Sequence, residues 1–394
     1  MKRYRGIFLP VVFLFFLFGC GSGSSGDNHA KLAVSLTDGP ACGFDQVNVT
    51  PSKIRVHPSA NAGPDDADWS EVVLSPPRKI DLLSLTNGVI APLGTIPLAP
   101  GHYAQLRLVL LPNTAEAPLN NSVVPTGGVS ETALEIPNAI QDGIKLIYDF
   151  DIAAKREVDL VLDLDPCRSV AQKENGGAIL NPFVSVIPQE VSGGIQGMIG
   201  TTLSTGSVLI HPRITAQQDG TVIGSTLPDQ SGNFILRPLI QSATAGNYDL
   251  VFTADNAATA VIQSVPVTAQ AMTTVSTADH PIVLQPSAIR TIRGTVTPTS
   301  ATLRAVQHFA PGGPTVEIRL TNAVVGSGNY SLLLPADSPS LGLFGTGMLP
   351  IVLTLRPDAA GRYTLEAAAP GRTVETRAEM LAGSDLTENF ALLP

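Results

Sequence analysis

Three aspartates near the middle of the chain, Asp149, Asp151 and Asp159, form its most suggestive group of potential metal ligands. They flank Ala153 to Glu157, a five-residue stretch between two runs of period-2 apolar residues: Leu146, Tyr148, Phe150 and Ile152, then Val158, Leu160, Leu162 and Leu164. That pattern predicts a β-hairpin. If Ile152 pairs with Val158, Asp151 faces Asp159 directly and Asp149 lies two residues along on the same face. Like charges placed opposite each other destabilise a sheet. Relief is expected from Lys155 and Arg156 in the connection, or from Ca²⁺, which takes six to eight oxygens. Solvated, locally neutralised carboxylates are the plainer reading, so no resident cofactor is expected and calcium at this hairpin is the alternative. A second acidic loop, Asp65, Asp66 and Asp68, precedes the single tryptophan, Trp69.

Trp69, beside Asp68 and Glu71, is the candidate platform for stacking on a sugar ring. Core packing or capping is the more frequent fate of a lone tryptophan. The six histidines, including His57 at an apparent strand end and His102 in a turn, are scattered without ligand spacing and read as surface or turn residues. No H-E-x-x-H, G-x-S-x-G or phosphate-binding loop occurs, and no G-x-G-x-x-G follows a strand.

Cysteine usage points outside the cytoplasm. Lys2, Arg3 and Arg5 precede the apolar run Ile7 to Phe18, and Leu17-Phe18-Gly19-Cys20 follows the lipobox pattern of an acylated cysteine. Twelve residues are too few to span a bilayer as a helix, which needs about 20, but suit a signal peptide. Residues 1–19 therefore read as the signal peptide, and 20–30 as the lipidated Cys20 with a Gly/Ser tether, an ordinary signal peptide or a short anchor helix being the alternatives. Gly21 resembles outer-membrane sorting. Cys42 and Cys167 remain, an even pair in an oxidising compartment. A bridge between them would close a loop of roughly 125 residues and contribute about 4–5 kcal/mol at most. Two buried free thiols and a metal site are the alternatives; no histidine stands at zinc spacing.

Composition sets the class of elements that must carry these residues. The chain has 394 residues, 14% charged and 5% aromatic, with 36 Gly and 32 Pro, which points to short strands and many turns. Leu32, Val34 and Leu36 alternate with Ala33, Ser35 and Thr37, and Leu106, Leu108 and Leu110 repeat the pattern. At most a helical turn is expected, within Ser84 to Ile90. Cleavage ahead of Cys20 removes three basic residues from a net charge of −9, leaving −12. That balance argues against a nucleic-acid partner.

An internal repeat follows a joint at Ser192-Gly193-Gly194. Gly232-Asn233-Phe234 recurs as Gly328-Asn329-Tyr330, offset by 96, and Ala245-Gly246-Asn247-Tyr248 as Ala360-Gly361-Arg362-Tyr363, offset by 115. The difference of 19 residues predicts an insertion within Pro335 to Met348, read as a long loop. The glycine before each aromatic permits a tight turn, and the aromatic plugs a small sandwich core. The expected units are 31–190, 195–285 and 290–394.

The stretch from Leu32 to Ile187 resembles the bacterial lipoprotein family known as domain of unknown function 4382. The resemblance rests on Leu36-Thr37-Asp38-Gly39-Pro40, Phe44 to Thr50, Ile80 to Gly88, Leu98 to Leu108, Leu160 to Val170 and Asn181 to Ile187. It implies an exported, β-rich lipoprotein with no assigned activity. Pro166 and Cys167 look like a cysteine-bearing variant of the family pattern, which supports pairing with Cys42. The two later copies resemble carboxypeptidase-regulatory-like or prealbumin-like β-sandwiches.

The sequence thus predicts an all-β protein: an N-terminal β-sandwich-like domain followed by two smaller sandwich modules. The leading expectation is a non-enzymatic envelope lipoprotein held at the outer membrane, facing either the periplasm or the surface. It would serve as a scaffold, adhesin or ligand-presenting protein, with an envelope protein or a glycan as partner. A carbohydrate-binding lipoprotein using Trp69 or sandwich loops is the alternative, and a hydrolase is third. The leading reading expects three independently folded units.

Overall fold

The structure, a computed structural model, describes residues 29–39, 43–205, 209–381 and 383–394. It is all-β, with 52% of residues in strands and 6% in helices. Among the described residues no helix is long and apolar enough to cross a membrane.

The first unit is built on two four-stranded sheets and a six-stranded one. Ala30–Thr37 is central to one sheet, parallel to Glu157–Leu164 and antiparallel to Ala91–Leu98. Leu32, Val34, Leu36, Leu160, Leu162 and Leu164 bring their period-2 faces into one core, each 1% exposed or less. The second sheet places Gly101–Leu110 between Ile144–Ile152 and Pro51–His57, with Ser70–Val73 at its edge. Asp81 caps a 3-10 turn, Leu82–Leu85, by accepting from the Leu83 amide.

The expected hairpin is not formed. Ile144–Ile152 pairs with Gly101–Leu110, setting Leu146 against Leu106, whereas Glu157–Leu164 lies in the other sheet between Ala30–Thr37 and Val184–Pro188. Alternation identifies which face of a strand is buried but not its neighbour. Val161, on the opposite face from Leu160, is also fully buried, as suits an interior strand. The connection crosses from sheet to sheet, and the Asp151–Asp159 repulsion that a hairpin would impose does not arise.

Residues 192–274 and 289–391 form two units with one pairing pattern. In the second unit, Ser192–Met198 pairs antiparallel with Asn233–Ile240 and parallel with Met272–Thr274. In the third, Ile289–Thr297 pairs antiparallel with Asn329–Pro335 and parallel with Leu386–Thr387 and Phe390–Ala391. Opposite these, Arg213–Gln218 joins Thr221–Thr226 and Tyr248–Thr253 in one unit, as Thr302–His308 joins Thr315–Asn322 and Arg362–Ala368 in the other. The turn glycines behave alike. Gly232 and Gly328 hold φ of +88° and +71°, and their carbonyls accept from the Ile199 and Val296 amides at 2.9 Å. A Cβ at either would overlap the carbonyl oxygen of that same residue, so only glycine fits. The following aromatics, Phe234 and Tyr330, are buried as plugs.

The insertion is not a plain loop. Ser340–Leu343 pairs parallel with Ala260–Val265 of the second unit, and Thr354–Leu355 pairs antiparallel with Ser340–Leu343 as the new edge. Phe344, Ile351 and Leu353 pack against the second unit's core. A chain segment of the third unit therefore completes the sheet of the second, giving it six strands. An open sheet edge adjacent to an apolar segment explains the outcome: its unpaired N–H and C=O groups are satisfied by adding a strand.

Candidate functional site: the three-way polar junction

The expected site residues are dispersed. Cys20 and Cys42 lie outside the described residues. Cys167 is 4% exposed in the helical turn Pro166–Ser169, which Asp165 caps by accepting from the Arg168 amide at 3.2 Å. Asp149 and Asp151 flank His102, with Oδ1···Nε2 3.5 Å and Oδ1···Nδ1 3.1 Å respectively, whereas Asp159 sits in the other sheet opposite Ala33. The three carboxylates thus lack the shared hairpin on which the calcium expectation rested. Among the described residues no three His, Cys, Asp or Glu side chains are grouped to hold a metal ion.

Trp69 is half-buried beneath guanidinium groups. Arg55 and Arg107 lie 4.5 and 5.1 Å from its ring centroid, and the His57 ring centroid is 5.0 Å away. The indole N–H donates to the Gly63 carbonyl at 2.9 Å. Neighbouring loop carbonyls accept from the arginines: Pro64 from Arg55 and Ala62 from Arg107, both at 2.9 Å. Trp69 clamps the 58–69 loop onto the sheet by hydrogen bonding and cation–π contact. His57, read from sequence as a surface or turn residue, is buried beneath that loop and hydrogen-bonds the Ala67 carbonyl at 2.7 Å.

The densest buried chemistry lies where the three units meet. From the first unit come Asp38, immediately after Ala30–Thr37; Asp163, whose strand register sets it opposite Thr37; and Asp165 with Arg168. Arg213 and Gln217 come from the second unit, and Glu317 and Arg304 from the third. Gln217 is fully buried and bonds the Glu317 backbone in both directions: its Nε2 donates to the carbonyl and its Oε1 accepts from the amide, each at 2.7 Å. The Glu317 carboxylate lies 3.8 Å from Arg168 and 3.7 Å from Arg304. Arg304 also donates to the Gly220 carbonyl at 2.9 Å and pairs with Glu366 at 2.6 Å. Asn322 donates to the carbonyls of Cys167 and Val170 at 2.9 and 3.1 Å, tying the third unit to the first. Asn87 ties the first to the second: its amide donates to Thr226 Oγ1 at 2.8 Å, and its Oδ1 accepts from the Ile235 amide at 2.6 Å.

Burial governs the charges here. Asp38 is 5% exposed, and among the described residues no side chain hydrogen-bonds its carboxylate oxygens. Desolvation, followed by the charges of Asp163 and Asp165, holds its pKa well above the ordinary value. Desolvation and then Asp165 push Asp163 up to about 7. Burial likewise raises Glu317 against the opposing pull of Arg168, Arg213 and Arg304, and lowers Arg213 against the pull of Asp165 and Glu317.

A pair of proton-holding carboxylates would suit acid–base chemistry if a substrate could reach it. The crevice beside them, lined by Gly39, Asp163, Asp165, Phe183 and the 222–225 strand, has a free volume of about 10 Å³, room for roughly one water. A second cleft, between Ile90, Gln189, Arg237 and Met272, measures about 130 Å³; small-molecule sites usually occupy roughly 300–1,000 Å³. The junction's hydrogen bonds join residues of all three units.

No scattered acid or base of this junction was singled out as a site from sequence. Asp38 and Asp165 stood within motifs, but their burial depends on contacts with residues some 50 to 280 positions further along the chain.

Residues 29–182 match the family model described as domain of unknown function (DUF4382). No curated protein matches the chain. Among solved structures, a Streptococcal ancillary pilin is similar at 7% identity and a TM-score of 0.17, over 91% of this chain and 98% of that one. The Corynebacterium diphtheriae major pilin SpaA is similar at 12% identity and a TM-score of 0.18, over 92% and 100%. The pilus adhesin SpaC from Lactobacillus rhamnosus GG is similar at 10% and 0.16, over 92% of this chain and 44% of that one.

Proposed function

We propose that the chain is a non-enzymatic cell-envelope lipoprotein, anchored through an acylated Cys20, whose three β units form one rigid scaffold rather than a string of independent spacers. The observation that carries this reading is the buried Gln217–Glu317 exchange, reinforced by Asn322, Asn87 and the shared six-stranded sheet. Each pair of units is joined, and fixing all three contacts removes the hinge freedom that inter-domain linkers ordinarily leave. A bridge from Cys42 to Cys167 fits the same design. Gly39 lines a crevice with Asp165, which caps the turn carrying Cys167, and Gly43 lies beside the Gln172 side chain in the strand that follows that turn.

Membrane fractionation with mass spectrometry of the N-terminal peptide tests the anchor. Acylated Cys20 in the envelope fraction, with a Cys20→Ser chain released to the soluble fraction, is the expected result. Identical fractionation of both chains, with an unmodified N-terminus, contradicts it.

A further inference from the structure

One seam of the junction gathers carboxylates on one side only. Asp38, Asp163 and Asp165 stand on the first-unit side, and opposite runs Thr221–Thr226, the terminal strand of the second unit's six-stranded sheet. The two sides touch closely. A Cβ on Gly39 would overlap the Ser225 hydroxyl, and Asn87 clips the end of the strand at Thr226. The wall formed by Val222 to Ser225 carries no charge. The charged groups around Asp38 are Asp163, Asp165 and Asp81 from its own unit and Arg213 from the second. Asp165, and then Glu317 of the third unit, favour the charge on Arg213 ahead of Asp38, while Arg168 opposes it. Asp165 also pairs with Arg168 at 3.6 Å, and Arg304 is shared by Glu317 and Glu366. The junction's cations are thus engaged chiefly by Asp165, Glu317 and Glu366. Asp163 borders a crevice with room for roughly one water, and at Asp38 the adjacent Gly39 amide is the backbone donor that favours the ionised form.

We propose that this seam is a proton-operated latch: with protons on Asp38 and Asp163 the first unit stays docked on Thr221–Thr226, and passing those protons to solvent frees that strand. Two added negative charges then stand beside Asp165 against an uncharged wall. A buried charge without a partner needs water, and the closed crevice is too small to supply it, so hydration parts Phe183 and Ser185 from the 222–225 strand. The rest of the junction holds. Asn322 still ties the third unit to the first, and Gln217 with the strand Ser340–Leu343 ties the second to the third. The latch therefore tunes the stiffness of the scaffold proposed above, on which it rests, without dissolving it. Acid closes the seam. Burial and then Asp165 move Asp163 from 3.8 to about 7 when the seam is shut, and burial followed by Asp163 and Asp165 raises Asp38 in the same sense. Opening is opposed most strongly below about pH 4 and grows easier as pH rises through about 7.

Amide hydrogen exchange at pH 5 and pH 8, corrected for the intrinsic pH dependence of exchange, tests the latch on the full chain from position 20 carrying Cys20→Ser to prevent acylation. Each pH unit over which open and closed seams differ by one proton is worth a factor of about ten. Protection across Thr221–Thr226 should therefore fall at least about tenfold at pH 8, while the Thr302–His308 strand of the third unit keeps its protection. Asp163→Asn, and the double variant with Asp38→Asn, should hold Thr221–Thr226 protected at pH 8. Equal protection of the wild-type strand at both pH values overturns the inference and leaves the rigid scaffold standing. A fall that persists in both variants also overturns it, by placing the titrating group elsewhere. A strand unprotected at both pH values removes the rigid scaffold and the latch together.

Discussion

Replacing Asp163 with asparagine should stabilise the protein in neutral and alkaline solution and leave it nearly unchanged in acid. Burial and Asp165 raise the Asp163 pKa from 3.8 to about 7 in the folded state. Between those values the native protein binds a proton that the unfolded chain has released. The contribution of this group is therefore fully present below about pH 4 and is lost as pH rises through about 7. Three pH units at about 1.4 kcal/mol each set a ceiling near 4 kcal/mol. Asp163 keeps some solvent contact through the crevice, so a gain on the order of 2 kcal/mol for Asp163→Asn at pH 8 is the working figure. Asp38 titrates with it, because Asp163 is the largest charge opposing its ionisation. Urea unfolding of wild type and variant at pH 4.5 and pH 8 measures the difference directly, and the comparison cancels carboxylates elsewhere. Equal destabilisation of the variant at both pH values would refute the reasoning, since Asp163 would then act through hydrogen bonding independent of its charge.

Other outcomes follow from the same contacts. Glu317→Ala removes a carboxylate shared by Arg168 and Arg304, which keep Asp165 and Glu366 as partners, and should cost on the order of 1–3 kcal/mol by denaturant unfolding. Trp69→Ala should cost on the order of 2–3 kcal/mol through lost packing and two cation–π contacts, and proteolysis should open the 58–69 loop. Loss of glycan-array binding in that variant, with unchanged stability, would instead support the sugar-platform reading. Tyr248 and Tyr363 occupy matching places, donating to Ile240 and Pro335 carbonyls at 2.7 and 2.6 Å. Tyr363→Phe should cost about 1–3 kcal/mol, because it removes a buried hydrogen bond to the Pro335 carbonyl.

Alternation made the strands legible from sequence, and the glycine–aromatic pairs revealed the repeat, because both are local consequences of backbone geometry. Partner choice was not local. The runs ending at Ile152 and beginning at Val158 have the spacing of a hairpin, yet each is needed in a different sheet of the first unit. The insertion was visible as a length difference between the copies. Its role was hidden, because the edge it covers, Ala260–Val265, belongs to the other copy. The junction was least legible of all. Asp38, Asp163, Arg213 and Glu317 carry no spacing signal, and each reads as an ordinary surface charge until tertiary packing dehydrates it. Trp69 was noticed for its rarity, but the arginines that occupy its ring come from strands that pair side by side, with Arg55 opposite Arg107.

Differential scanning calorimetry of the chain from position 20 with Cys20→Ser bears most directly on whether the three units act as one body. One transition is expected, with calorimetric and van't Hoff enthalpies in agreement, and Glu317→Ala should split or broaden it. Three separate transitions in the parent chain, undisturbed by Glu317→Ala, would contradict the account.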